Sequence, residues 1–287
     1  MKKVLVTGSK GFIGESLVAY LKKMEYEVLG FNSEDGDISD CDIYEKYKPV
    51  EISYIFHLAS KTFIPSSWEH PVDFYKTSII GTQQVLELCR KKNIPMTFVS
   101  AYVYGISEKL PIAEITPLNP NNPYAHSKYL TEELCKFYSD YYNVKITIIR
   151  PFNIYGKNQK DYFLIPHIIK QVLDEEEIKV KDLNPKRDYI YLDDLICGLI
   201  KTMTYKKKFS IFNLGSGVEY SVKEIIDIIQ NIFKTDKSVI SDNIERKNEI
   251  TRVVADISKA KEELDWSPRF SFREGIKDIL EKMSDER

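Results

Sequence analysis

Apolar residues in the first half of the chain fall in short runs separated by helical patterns. "KVLVT" reads as a strand, and Phe12–Met24 as a helix with Phe12, Ile13, Leu17 and Leu21 on one side. The alternation continues through "EVLGF", a short helix near Asp42–Tyr47, "YIFHLA", a long helix over Val72–Lys92, "TFVSA", a helix from Tyr124 to about Tyr142, and "KITIIR". These strands are apolar on both faces. Strands of that kind, interleaved with helices, imply a parallel sheet covered on each side. The expected fold class is α/β, a doubly wound sheet whose ligands sit beyond the carboxyl ends of the strands.

After Arg150–Pro151 the rhythm changes. Loops lengthen ("NIYGKNQKDYF", "KDLNPKRDYIY"), helices dominate, and strand signals thin to "EIKV" and "SIFNL". A first, dinucleotide-binding domain is expected over residues 1–155, also receiving 188–216. A smaller mixed α/β substrate-binding lobe is expected from 156–187 and 217–287. There is no internal repeat or low-complexity segment.

Composition narrows the class without naming a chemistry. The chain has 287 residues, 43% of them apolar and 29% charged, with a net charge of −2. That balance fits a soluble globular protein and provides no basic field for nucleic acid or anionic lipid. Cys41, Cys89, Cys135 and Cys197 show no metal or redox spacing, and the histidines have no partner spacing for zinc, so no metal role is expected. The start "MKKVLVTG" is too short in apolar residues for a signal-peptide core, and no run reaches a membrane-spanning length. Cytoplasmic residence, with neither membrane nor nucleic-acid partner, is the expectation.

"TGSKGFIG" adds the first chemistry. It follows the first strand and opens the first helix, with Gly8, Gly11 and Gly14 at three-residue spacing. Such glycines permit a tight turn, backbone approach to a pyrophosphate and close helix–strand packing, with the phosphates at the positive helix N-terminus. The motif predicts a Rossmann-type dinucleotide site at Gly8, Lys10, Gly11, Phe12, Ile13 and Gly14. At the end of the second strand, where an acid normally accepts the adenosine ribose, stands Asn32. Asn32 does not repel a 2′-phosphate and Lys10 could reach one, whereas Glu34 and Asp35 argue the other way. NAD and NADP both stay open.

"YAHSK" places Tyr124 and Lys128 four residues apart on one helical face. A phenol of pKa ~10 is a poor base at neutral pH. A neighbouring ammonium, together with a cationic nicotinamide ring, would stabilise the phenolate. Alone, the pair could be an ordinary exposed helix. It is accompanied, in one order along the chain, by "TGSKGFIG", "HLAS", "SAYVYG", "RPFNIYG", "RDYIYLDD" and "DISKAKEELDWSPRFSFREGI". Together these resemble the extended short-chain dehydrogenase/reductases, the NAD-dependent epimerase/dehydratase family that modifies nucleotide sugars.

The resemblance implies roles residue by residue. Tyr124 matches the catalytic base, Lys128 the lysine on the nicotinamide ribose, and Ser100 the hydroxyl that holds the reacting sugar oxygen. Asp37 and Ile38 match a pair beside the adenine, and Leu58, Ala59 and Ser60 a loop over the cofactor pyrophosphate. His57 is read as a structural histidine. Asn153, Arg187 and Arg246 match groups that hold the diphosphate of a nucleotide sugar, a task suited to a guanidinium fork. The resemblance also implies a homodimer, paired through the helix carrying Tyr124 and the long helix over Val72–Lys92. One departure is Ser78, where many members have Asn.

Residues after Ser100 separate the chemistries. Sugar 4,6-dehydratases usually place Asp then Glu there, since elimination needs both a base and an acid. Ala101 and Tyr102 stand there instead. Two readings remain foremost: a C4 epimerase, and an NAD(P)H-dependent 4-keto-sugar reductase that could also epimerise. An atypical dehydratase and a non-catalytic cofactor sensor rank below them. Tyr102 is read as an apolar lid over the sugar, with a third proton-carrying role as the alternative.

Overall fold

The computed structural model describes residues 1–242 and 250–284. Its first half runs β1 (Lys3–Thr7), α1 (Phe12–Lys23), β2 (Glu27–Phe31), α2 (Ile43–Tyr47), β3 (Tyr54–His57), α3 (Ile64–Glu69), α4 (Pro71–Tyr75), α5 (Gly81–Lys92), β4 (Met96–Val99), α6 (Pro123–Tyr142) and β5 (Ile146–Pro151). There follow β6 (Asn153–Tyr155), α7 (Leu164–Asp174), β7 (Glu177–Val180), β8 (Lys186–Tyr191), α8 (Leu192–Thr202), β9 (Phe209–Leu214), β10 (Glu219–Ser221), α9 (Val222–Phe233), β11 (Ser238–Ser241), β12 (Arg252–Val253), α10 (Ser258–Leu264) and α11 (Phe272–Ser284).

The six-stranded sheet has the order β2-β1-β3-β4-β5-β9, every neighbour parallel. The α/β doubly wound class is therefore correct. Period-two alternation explains why its strands are apolar on both faces. In β1, Val4 and Val6 pack with Leu17, Leu21 and Leu195 on one side, while Leu5 packs with Val85, Leu88 and Tyr138 on the other. Strand order reverses between β1 and β3, so their carboxyl ends open a crevice where a ligand can lie across the sheet. "SIFNL", counted among the later strands, is β9 and closes this main sheet beside β5.

The long helix expected over Val72–Lys92 is not uniform. It is α4, a π-helical turn at Lys76–Ile80, and α5. The wide turn carries buried Thr77 and Ser78, and Ser78 Oγ lies 3.1 Å from Ser127 Oγ on α6. Single π turns cluster at functional sites.

Two stretches read as loops contain strands. "NIYGKNQKDYF" begins with β6, and "KDLNPKRDYIY" contains β8, which pairs with β6, β10 and β12. Arg187 and Asp188 break the apolar pattern of β8. Asp188 is nevertheless fully buried, because its carboxylate accepts hydrogen bonds from Ser216 N (2.6 Å), Ser216 Oγ (2.7 Å), Gly217 N (2.9 Å) and Ala255 N (3.0 Å). A buried charge supplied with such donors behaves as a clip between segments distant in sequence. A separate buried cluster brings together Ile165, Ile168, Ile178, Ile225, Ile229 and Ile276 with Tyr189 and Tyr191 of β8.

Candidate active site

The cofactor side starts at β1. Gly8 has φ +73°; its turn is closed by Gly11 N donating to Gly8 O at 3.0 Å, and Gly8 N donates to Phe31 O of β2 at 2.7 Å. A Cβ on Gly14 would lie 2.0 Å from Gly8 O, so only glycine lets α1 approach the loop this closely. Gly11 precedes α1 and provides no side-chain cap to the amides of its first turn, including Phe12 and Ile13. An uncapped N-terminus of a helix this long, behind a glycine loop, fits a dinucleotide pyrophosphate.

The remaining cofactor candidates surround this loop. Leu58 N donates to Thr7 O (3.1 Å) and Ala59 N to Thr7 Oγ1 (3.2 Å), which brings Leu58 and Ala59 against Gly8; Ser60 follows them. His57 is buried, with Nδ1 2.7 Å from Thr7 Oγ1 and Nε2 2.9 Å from Thr82 Oγ1, and burial lowers its pKa to about 3. It is a neutral structural group. Asp37 accepts from Ser39 N (2.9 Å) and Ser39 Oγ (2.6 Å), and Ile38 is buried against Gly81. Asn32 spends its side chain locally, accepting from Glu34 N and donating to Asp35 Oδ2, each at 3.0 Å. Lys10 is ion-paired with Glu34. The two signals that favoured different cofactors thus neutralise each other, and the residues accept NAD(P) as a class.

The catalytic candidates converge at the ends of β4 and α6. Asn122 caps α6 by accepting from Ala125 N at 2.9 Å, which fixes the first turn that carries Tyr124. Tyr124 is half-buried and edge-on to Phe74, with ring centroids 6.3 Å apart. One turn on, Lys128 is buried, donates to Val99 O at 2.9 Å and lies 4.7 Å from the Phe98 ring centroid. Burial holds the Tyr124 phenol above its ordinary pKa and lowers Lys128 to about 8. The downward pull expected of Lys128 on Tyr124 is not seen in the protein alone, since the ammonium faces the Val99 carbonyl. Ser100 follows β4 directly, is buried, and donates from Oγ to Glu132 Oε1 at 2.5 Å. Ala101 is buried beside it, and Tyr102 donates to Gly105 O at 2.7 Å while its ring meets Tyr104 and Phe152.

A cavity of about 570 Å³ is lined by two of the remaining candidates. Asn153 and Arg187 line it with Tyr162, His167, Lys179 and Lys181. Asn153 Nδ2 donates to Asp188 O at 3.0 Å, and Arg187 Nη1 donates to Lys186 O at 3.0 Å. Of the acidic residues near Arg187 in sequence, Asp188 accepts the hydrogen bonds of the clip, Asp193 pairs with Lys282 and Asp194 accepts from Phe270 N. Arg246 lies outside the described residues. Sequence reading missed Glu132 and Arg150, joined by a buried ion pair at 2.6 Å. The available signal was that Glu132 stands one turn beyond Lys128, in line with Tyr124. No helix among the described residues is long and apolar enough to cross a membrane.

A sequence profile of the NAD dependent epimerase/dehydratase family matches residues 4–215. A GDP-6-deoxy-D-talose 4-dehydrogenase of Aggregatibacter actinomycetemcomitans is 30% identical over 98% of this chain and 96% of its own. A UDP-glucose 4-epimerase of Lactobacillus helveticus is 29% identical over 97% and 94%. The crystal structure of a UDP-glucose 4-epimerase from Thermotoga maritima, with UDP-glucose, superposes with a TM-score of 0.92 at 28% identity, covering 99% of both chains.

Proposed function

The chain belongs to the NAD dependent epimerase/dehydratase family and is an NAD(P)-dependent enzyme of nucleotide sugars; from that premise we propose that it inverts C4 of the sugar in a nucleotide-diphosphate sugar. The nicotinamide supplies a hydride acceptor and donor when bound. Tyr124 takes the proton of the C4 hydroxyl and returns it, with the Lys128 ammonium and the cationic ring favouring its phenolate. Ser100 holds the sugar oxygen. Asn153 and Arg187 hold the diphosphate, placing the nucleotide in the cavity of the second lobe.

One observation carries the choice of reaction. Elimination across the sugar needs two further proton carriers beside Ser100, and the side chains there are a methyl and an anchored phenol. Tyr102 is hydrogen-bonded to Gly105 O, and burial holds its pKa above the ordinary phenol value despite the nearby Arg187. Tyr102 is therefore read as a wall of the sugar pocket. Hydride removal and return at one carbon is the chemistry these residues support.

The direct test offers UDP-glucose and looks for its C4 epimer with no net change in reduced cofactor. Tyr124→Phe is expected to lower kcat by about 10²- to 10⁴-fold while cofactor affinity holds; unchanged turnover would remove Tyr124 from the mechanism. A second reading, reduction of a 4-keto sugar, draws support from the 30% identical relative named as a 4-dehydrogenase. Stoichiometric consumption of NAD(P)H with a 4-keto substrate would select it. We also expect two copies to pair through α5 and α6, which light scattering would test.

A further inference from the structure

Ser100 has one hydroxyl proton, and the structure shows where it goes. It is donated at 2.5 Å to Oε1 of Glu132, a side chain almost wholly buried in α6. Glu132 is held from behind by Arg150 of β5, whose Nε lies 3.0 and 3.1 Å from its two oxygens and whose Nη2 lies 2.6 Å from Oε2. Arg150 Nη1 in turn donates to Tyr104 OH (2.9 Å) and Glu114 O (3.2 Å). Tyr104 donates to Asn213 Oδ1 at 2.6 Å, and Asn213 Nδ2 to Ile112 O at 2.9 Å. The chain of partners is buried from the Glu132 carboxylate to Asn213, and each donor in it has an acceptor.

We infer that Glu132 is a positioning residue that sets the hydrogen-bond polarity of Ser100. The inference rests on Ser100 holding the reacting sugar oxygen. With its proton committed to a carboxylate, Ser100 presents only lone pairs to the cleft, so it accepts from a sugar hydroxyl and cannot donate to a ketone oxygen. Binding a ketone through Ser100 requires its O–H to rotate away, leaving a buried carboxylate without one donor. The pair therefore biases the bound state toward the alcohol. On the other side of that equilibrium stand the ketone, reduced nicotinamide and one proton held by Tyr124.

Glu132→Gln tests the polarity because its outcome follows from Arg150. Arg150 Nη2 and Nε both donate to Oε2, so the amide oxygen takes that place and the new NH₂ group stands at Oε1 beside Ser100, giving up the Nε–Oε1 contact. Ser100 then accepts from that amide and releases its own proton to the cleft. With saturating nucleotide sugar, the fraction of bound cofactor in the reduced state, read by its absorbance, is expected to rise about tenfold in E132Q. Glu132→Asp, which keeps the charge, should stay near the wild-type partition. In a Ser100→Ala background, E132Q should leave the partition unmoved. If S100A turns over like the wild type, Ser100 is not in the catalytic set, and the reading of the site fails. If S100A is impaired yet E132Q leaves the partition where it was, or shifts it equally in S100A, the assigned polarity is overturned. Should E132Q not fold, the paired variant E132M/R150M removes both charges and the acceptor of the Ser100 proton. In that variant the freed Ser100 proton predicts the same rise, and its absence is equally decisive.

Discussion

The two sides of the cleft are built differently. On the cofactor side, the individual turns are closed by near neighbours in sequence, Gly8 with Gly11 and Gly14, Asn32 with Asp35, and Asp37 with Ser39, and longer contacts such as Gly8 N to Phe31 O and Ala59 N to Thr7 Oγ1 set these turns side by side. On the side proposed for the nucleotide sugar, β8 draws β6, β10 and β12 from three separate stretches, and Asp188 clips it to Ser216, Gly217 and Ala255. The first is a local motif placed at the end of a strand. The second exists only once distant segments have been folded together, and it stands or falls on one buried carboxylate.

Gly14→Ala should separate the sides most strongly. Its Cβ would meet Gly8 O at 2.0 Å, a contact that only a backbone shift can relieve. The expected cost is about 3 kcal/mol, felt first as a loss of cofactor affinity of about 100-fold in calorimetry. Nucleotide-sugar binding should change far less. A variant that bound cofactor normally would show that the loop is not the rigid cradle described.

Asp188→Asn is the counterpart on the other side. One oxygen and one NH₂ would then face donors that all need acceptors, leaving at least one buried amide unsatisfied. The expectation is about 2 kcal/mol of lost stability in denaturant titration, with a raised KM for the nucleotide sugar and an unchanged cofactor dissociation constant. Equal losses of both ligands would mean that the sides are not independent.

Lys128 divides stability from catalysis within the cofactor side. Its folded pKa of about 8 lies below the ordinary 10.5. Between those values the unfolded chain binds the extra proton, so stability rises as pH climbs from about 8 to 10.5. The proposed proton transfer at Tyr124 needs the ammonium, so kcat/KM should fall with an alkaline midpoint near pH 8. Lys128→Met should raise Tm at neutral pH while turnover disappears; a lower Tm would show that the contacts to Val99 and Phe98 outweigh the burial cost.

His57 gives the gentlest test. Its pKa falls from 6.5 to about 3 on folding, so between those values only the unfolded chain takes up the proton and stability declines as pH falls. The slope assigned to it is about 1.4 kcal/mol per pH unit. His57→Gln should remove that increment from the acid limb of a denaturation series. An unchanged slope would mean that the imidazole is not the buried neutral group shared by Thr7 and Thr82.

How much was legible follows the same division. The glycine loop and the apolar strands could be read because each is a local pattern with one physical cause. Tyr124 and Lys128 share a helical face by spacing alone. β8 was hidden because Arg187 and Asp188 interrupt its apolar run, and only four hydrogen bonds from elsewhere make that burial tolerable. Glu132 was hidden for the same reason, since a glutamate in a helix ordinarily faces water.

Strand periodicity, glycine geometry and helical spacing act over a few residues, so they dictate the parallel sheet, the phosphate-ready first helix and the residue types of the proposed catalytic set. Which charges are buried, and which way their protons point, depends on contacts between distant segments. Arg150 reaches Glu132, and Glu132 reaches Ser100, through pairings of β4, β5 and α6 that no local pattern encodes. A buried carboxylate takes its meaning from the donors around it, and those donors arrive only when the chain is folded.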